Sequence, residues 1–316
     1  MLLLYRDQPI FLSEFEHQLG RVHRDLTQLK EEDALLSDVE TLRAVGYWKN
    51  FGMGEDETLA SLAKGPASRV MARGGEPDVV VFQHCNAESA VLAYAPTERN
   101  IALRNRYFAA ELMREVHLDH LPYFCSFASG CAGFMSMLTT AGGILTPASQ
   151  NERLLCVMAD YAPPGVPFDM LEERILGSDQ TSAFLLTSEK RGYRLLGLNY
   201  YSTVRTKVPF VEIVKRSVQM IHELAQALGI DLAAAETAIH YPNIFPDTWR
   251  MVSRYLRLPK LESIVDDMEE RAHCGATDSV ISLGKHFRGS AGRIHLVINY
   301  GVGLHLGICV LEEQDV

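Results

Sequence analysis

One pattern of helices and strands occurs twice in this 316-residue chain, and it constrains the fold more than any other feature. In the first copy an amphipathic stretch, "ETLASLAKGPASRVMARGG", precedes the strand-like "DVVVFQHCN"; in the second, "VEIVKRSVQMIHELAQALGI" precedes "ETAIHYPN". Both strands end in a histidine followed by an asparagine, His84 with Asn86 and His240 with Asn243. A helix follows each: "RNRYFAAELMREVHL" in one copy, "PDTWRMVSRYLRLP" in the other. Each copy then has a glycine turn opening another helix, "SGCAGFMSML" and "CGATDSVISL". The first copy closes with "RLLCVMADY" and "SAFLLTSEKRGYRLLGLNYYS", the second with "RIHLVINY" and "LHLGICVLE". Strands alternating with helices at these lengths predict α/β layers around a mostly parallel sheet. Two copies predict pseudo-symmetric halves, residues 1–190 and 191–316, with the two glycine turns at equivalent places.

Composition narrows the class. A net charge of −10 excludes the basic field that nucleic-acid binding needs, and 47% hydrophobic residues are enough for a large core. The opening "MLLLYRDQ" is too short and lacks the basic flank of a secretory signal, and no apolar window reaches bilayer length. Six scattered cysteines without a CxxC pair predict reduced thiols in a cytoplasmic protein and no structural zinc site.

The candidates for chemistry lie at the turns. Cys131 opens a helix between Gly130 and Gly133, where the helix dipole and nearby N–H groups favour a thiolate and a substrate carbonyl could approach the backbone. The same string also suits a small side chain packed where strand meets helix. His240, at the end of a buried strand, reads either as general base or hydrogen-bond donor, with Asn243 three residues on, or as a satisfied core histidine. Asp278 in "HCGATDSVISL" is either the orienter of an imidazole or an acidic residue at a helix N-terminus. "GVGLHLG" near the C-terminus has no following helix to make a dinucleotide site, which leaves an oxyanion-binding loop or a tight hairpin. Arg250, Arg254 and Arg257 fall on one helix face; such a stripe is a solvated surface or, in an acidic protein, a dock for phosphate or an acidic carrier. His84 has the local look of His240, and "HLDH" (117–120) reads as a solvated helix end.

Taken in order, "GCAGF", "HYPN", "GATDS" and "GVGLHLG" resemble the 3-oxoacyl-acyl-carrier-protein synthase III family of the thiolase fold, over nearly the whole chain. The resemblance implies a layered αβαβα architecture and a dimer, homomeric or with a related subunit. It also implies a substrate that is an acyl-CoA or a phosphopantetheine thioester on an acyl carrier protein, with no tightly bound cofactor or metal. It makes Cys131 the acyl-accepting nucleophile and His240 its partner. The N–H groups of Cys131 and Val302 would form an oxyanion hole, supported by Gly301, Gly303 and Asn243. Two positions depart from the family pattern. Ala276 stands where decarboxylating members carry an asparagine, and Asp278 follows two residues later, as in the Cys–His–Asp acyltransferases of specialised metabolism. Phe245 replaces an arginine just past the "HxxN".

The expected function is therefore transfer of an acyl group from a thioester to Cys131 and on to an acceptor activated by His240 and Asp278. Carbon–carbon condensation of the polyketide, quinolone or fatty-acid type is the alternative, and Ala276 argues against its ordinary decarboxylative form. A non-catalytic partner subunit of the same fold is the third reading, and the retention of a Cys, a His and an Asp argues against it.

Overall fold

A computed structural model describes residues 1–85, 108–126, 129–146, 152–163, 165–172, 174–205, 208–301 and 305–315. The chain opens with β1 (Leu2–Leu4), β2 (Phe11–Leu19), β3 (Val22–Asp25), α1 (Leu26–Glu31), α2 (Val39–Val45), β4 (Lys49–Gly52), α3 (Leu59–Gly74) and β5 (Val79–Gln83). It continues through α4 (Phe108–Glu115), β6 (Tyr123–Ser126), a 3-10 turn at Gly130–Ala132, α5 (Gly133–Ile144) and β7 (Arg153–Asp160). Next come β8 (Asp169–Met170), β9 (Ile175–Leu176), β10 (Gln180–Thr187), β11 (Tyr193–Ser202), α6 (Phe210–Leu228) and β12 (Thr237–His240). The last part holds α7 (Pro246–Leu256), β13 (Leu261–Ile264), α8 (Met268–Arg271), α9 (Thr277–His286), β14 (Ile294–Gly301) and β15 (His305–Glu313).

The helices form where the sequence periodicity places them. In α6 the buried residues Ile213, Val214, Ser217, Met220, Ile221, Leu224 and Ala225 recur at three- and four-residue spacing, so one face packs and the other is solvated. Gly229 ends that helix at φ 71°, a left-handed cap that glycine adopts without a Cβ penalty. At the start of α3, Thr58 and Ser61 satisfy each other's backbone N–H groups. The strands β5 (VVVFQ) and β10 (QTSAFLLT) are buried at every residue, as expected for strands covered on both faces.

The main sheet runs β13-β12-β14-β15-β11-β2-β10-β7-β5-β6, with β1 added beside β11. The five strands on each side have matching directions. β5 is parallel to β6 and β7, β7 is antiparallel to β10, and β10 to β2. Likewise β12 is parallel to β13 and β14, β14 is antiparallel to β15, and β15 to β11. The sequence pattern assigned Tyr193–Ser202 to the end of the first copy. In the structure this strand pairs with β15 and opens the second five, and its counterpart in the first five is the N-terminal β2.

Helices α5 and α9 lie between the two sets of strands. Their core residues Phe134, Met135, Leu138, Val280 and Leu283 share one cluster with Val81 and Phe184 from one side and Val297 and Cys309 from the other. The outer faces are covered by α3 and α4 on the first five strands and by α6 and α7 on the second. The resulting order is α/β/α/β/α, and both central helices begin at glycine turns.

Candidate active site

The central helices bring their N-terminal turns together. Cys131 occupies the 3-10 turn leading into α5 and is half-buried. Gly133 lets the Gln83 side chain lie against the turn, since a Cβ there would fall 1.8 Å from Gln83 Nε2. On the other side Gly301, at the end of β14, leaves no room either: a Cβ would sit 2.6 Å from the Ser129 carbonyl oxygen. These contacts fix the cysteine turn between the end of β5 and the end of β14.

The imidazole beside Cys131 belongs to His273. Its Nδ1 is 2.6 Å from Asp278 Oδ2; Nε2 has no hydrogen-bond partner among the described residues, and the Cys131 sulfur is the group on that side whose charge it feels. Asp278 lies in the first turn of α9 and is 2% exposed, so its negative charge needs partners. Arg271 forms an ion pair with Oδ1, and the backbone N–H groups of Cys274 (3.1 Å) and Asn243 (2.9 Å) also donate to the carboxylate. Burial would raise the Asp278 pKa, but Arg271 and His273 outweigh it and hold the carboxyl below its ordinary range. Burial alone would likewise lower His273; the Cys131 sulfur and Asp278 reverse this and push it up to about 10. The Cys131 thiol is held well below its ordinary value by the neighbouring Cys85 thiol and by the His273 charge. Each shift is in the direction that favours a thiolate–imidazolium pair oriented by a carboxylate.

Backbone strain sits immediately before the imidazole. Ala272 has φ 52° and ψ −149°, a region that favours glycine. Asn243 Nδ2 holds this turn by donating to the carbonyls of Ala272 (2.9 Å) and Asp266 (2.8 Å). The Asn243 carbonyl in turn accepts from the Tyr47 hydroxyl at 2.7 Å. The "HYPN" segment therefore delivers its asparagine to the site.

It does not deliver its histidine. His240 is the last residue of β12, still inside the sheet, and both ring nitrogens are engaged elsewhere: Nδ1 with Ser282 Oγ (2.7 Å) and Nε2 with His295 Nδ1 (2.9 Å). The expected pairing of His240 with Asp278 is thus replaced by His273 with Asp278. Asn243, three residues past the strand end, reaches Asp278 through its backbone N–H.

The remaining expected positions are also placed. Ala276 is buried at the start of α9 and offers no side-chain donor. Val302 and Gly303, expected at the oxyanion loop, lie outside the described residues. Arg250 and Arg254 project from α7 into solvent, Arg250 within 2.8 Å of Asp247, and Arg257 lies just past the helix end. His84 is buried and packs edge-on against Phe108, and burial lowers it to about 4. The sequence reading missed His273, Arg271 and Cys85. His273 and Asp278 do share one short loop, the single local hint of their pairing. Among the described residues no group of three or more His, Cys, Asp or Glu side chains is arranged to hold a metal, and no helix is long and apolar enough to cross a membrane.

No family model and no curated protein matches the sequence. Solved structures do match the fold. ChlB3, described as an acyltransferase, superposes with a TM-score of 0.75 at 16% identity, covering 97% of this chain and 98% of its own. The 3-oxoacyl-[acyl-carrier-protein] synthase III from Aquifex aeolicus VF5 gives 0.75 at 15% identity, over 96% and 99%. The fold is the thiolase-like fold of the synthase III enzymes. AbyA1, a tetronic acid condensing enzyme, shares it at a TM-score of 0.73 and 15% identity, over 96% of this chain and 99% of that one. Within this thiolase-like fold, Cys131 and His273 both lie where the two central helices begin.

Proposed function

We propose that this thiolase-fold protein is a thioester-dependent acyltransferase in which Cys131 carries the acyl group and His273, oriented by Asp278, moves the protons. The observation that supports this most is the placing of His273 between Cys131 and a buried Asp278: Nδ1 lies 2.6 Å from Asp278 Oδ2, and Nε2 has no hydrogen-bond partner among the described residues and is left for the sulfur. In the first half-reaction the Cys131 thiolate attacks the thioester carbonyl and a tetrahedral oxyanion forms. As the C–S bond to the donor breaks, His273 Nε2–H protonates the departing sulfur, leaving acyl-Cys131 and a neutral imidazole. In the second, the acceptor gives its proton to Nε2 and attacks the acyl carbon, and the Cys131 thiolate leaves beside a restored imidazolium. Asp278 keeps its charge throughout and holds Nδ1–H, so one tautomer serves both halves.

The donor is a CoA or carrier-protein thioester. A groove lined by Tyr201, Val208, Ile213, Arg216, Tyr300 and His305 opens beside the end of β14, and Arg216 stacks over the Tyr201 ring. Arg254 and Arg257 are the better candidates for carrier docking, because Arg250 already faces Asp247. Ala276 supplies no donor for a malonyl-derived enolate, which favours an oxygen or nitrogen acceptor over decarboxylative condensation. A role in natural-product biosynthesis and a dimeric assembly belong to the same proposal.

Incubating the protein with a panel of acyl-CoA and acyl-pantetheine thioesters and reading intact mass tests the first half-reaction. An acyl adduct that maps to Cys131 is the expected result. A panel that acylates the protein equally well after Cys131→Ala would overturn it.

A further inference from the structure

A second thiol shares the site, and the acyl-transfer steps above do not consume it. Cys85 lies two residues past the end of β5, and Cys131 lies two residues before Gly133. Gln83 and Gly133 touch, so the two backbone runs pass at close range. Each thiol shifts the other's acidity, Cys131 downward and Cys85 upward, as neighbouring sulfurs do, and both residues are half-buried. The backbone of Cys85 is pinned, its N–H donating to both carboxylate oxygens of Asp160 at 2.8 and 2.9 Å. Gly275 closes the pocket from the His273 loop; a Cβ there would sit 3.2 Å from Cys85 Sγ.

We propose that Cys85 is the resolving thiol for Cys131, so that a small peroxide oxidises this pair to a disulfide that reducing thiols reverse. The Cys131 thiolate attacks one oxygen of hydrogen peroxide. An S–O bond forms, the O–O bond breaks, and the departing hydroxide takes the His273 Nε2 proton and leaves as water. Cys85 sulfur then attacks the sulfenic sulfur, the S–O bond breaks, and the Cys85 proton departs with the hydroxyl as a second water. Two electrons pass from the two thiols to the peroxide, which ends as two waters. The product is a disulfide with an S–S bond of about 2.05 Å between the end of β5 and the cysteine turn. The bond shields Cys131 from the irreversible sulfinic and sulfonic steps, and it occupies the nucleophile while it lasts.

The remaining cysteines provide internal controls. Cys125 is exposed on β6, Cys156 and Cys309 are buried in the sheet, and Cys274 Sγ donates to the Arg271 carbonyl oxygen. Burial pushes Cys274 up to about 12, which keeps it an inert thiol.

Treating the reduced, desalted protein with a molar excess of hydrogen peroxide, quenching with N-ethylmaleimide and mapping peptides reads the outcome directly. The expected product is a Cys85–Cys131 linked peptide that dithiothreitol reverses. In Cys85→Ser and Cys85→Ala the linked peptide is absent and Cys131 gains two or three oxygens instead. Sulfinic Cys131 accumulating equally fast in wild type and Cys85→Ser, or a Cys131 that peroxide leaves untouched, would overturn the proposal. No acyl donor enters this experiment, so failure of the acyl-transfer reading leaves its result intact.

Discussion

Two histidine networks hang from successive turns of α9, and they have been built for different work. Asp278 in the first turn takes His273, whose free nitrogen faces the half-buried Cys131. Four residues on, Ser282 takes His240, which bonds His295, which bonds Glu313 Oε2 at 2.9 Å. Glu313 also accepts from the Arg288 and Ser290 backbones, so it is an acceptor only, and His295 must donate Nε2–H to it. His295 Nδ1 is then bare and accepts from His240 Nε2–H, which leaves His240 Nδ1 to accept the Ser282 hydroxyl. Every proton in this chain points inward, and all four side chains are buried. Burial holds His295 down to about 3 and His240 well below its ordinary value, so both rings are neutral. The lesson is electrostatic. At His273 the Cys131 sulfur adds to Asp278 and together they outweigh burial, whereas at His295 burial prevails beside Glu313 alone.

The largest test of that contrast is catalytic. His273→Ala removes the group that moves protons in both half-reactions and is expected to reduce acyl transfer by roughly 10²–10⁴-fold. His240→Gln, one turn away, is expected to leave the rate constant for acylation of Cys131 within about threefold of wild type, since that ring touches neither Cys131 nor Asp278. Single-turnover acylation with a thioester donor measures both, and a reversed order would assign the catalytic ring to His240. A smaller effect separates the acids. Asp278→Ala leaves Arg271 as a buried unpaired cation and should cost about 3–5 kcal/mol of stability, while Asp278→Asn keeps the shape and mainly misorients His273. Smallest is the structural cost of His240→Gln. It interrupts one buried hydrogen-bonded run and is expected to lower stability by about 1–3 kcal/mol in urea unfolding.

Much of the fold was legible because burial writes a period into the chain. The duplicated helix–strand order and both glycine turns are read from the repeat itself, while the layered order that centres α5 and α9 is what the family resemblance implies. The repeat counts the strand Tyr193–Ser202 with the first copy while the seam at residue 190 puts it in the second half, because a strand's own sequence does not say which neighbour it will pair with; β15 decides that. The candidate site was half legible. Cys131, Asn243 and Asp278 lie at turns that the sequence marks, and the structure brings all three to one place. His273 was missed because its position depends on a strained Ala272, on Asn243 from the end of β12 and on Arg271 from α8. None of these leaves a periodic signal. His240 attracted attention because a strand-end histidine looks the same whether its ring turns toward a cleft or toward a neighbouring strand.

The central claim is that His273, and not His240, is the imidazole that favours a Cys131 thiolate, and the pH dependence of Cys131 alkylation tests it most directly. Iodoacetamide reacts with the thiolate, so its rate follows the thiolate fraction. In wild type and in His240→Gln the rate should stay on its plateau as pH falls well below the ordinary thiol value of about 8.5. In His273→Ala the loss of the facing cation should move the midpoint to higher pH, and once it lies above neutrality the reaction at pH 7 should be slower by about a factor of ten for every further pH unit the midpoint climbs. A midpoint that moves with His240→Gln and stays fixed in His273→Ala would contradict the account.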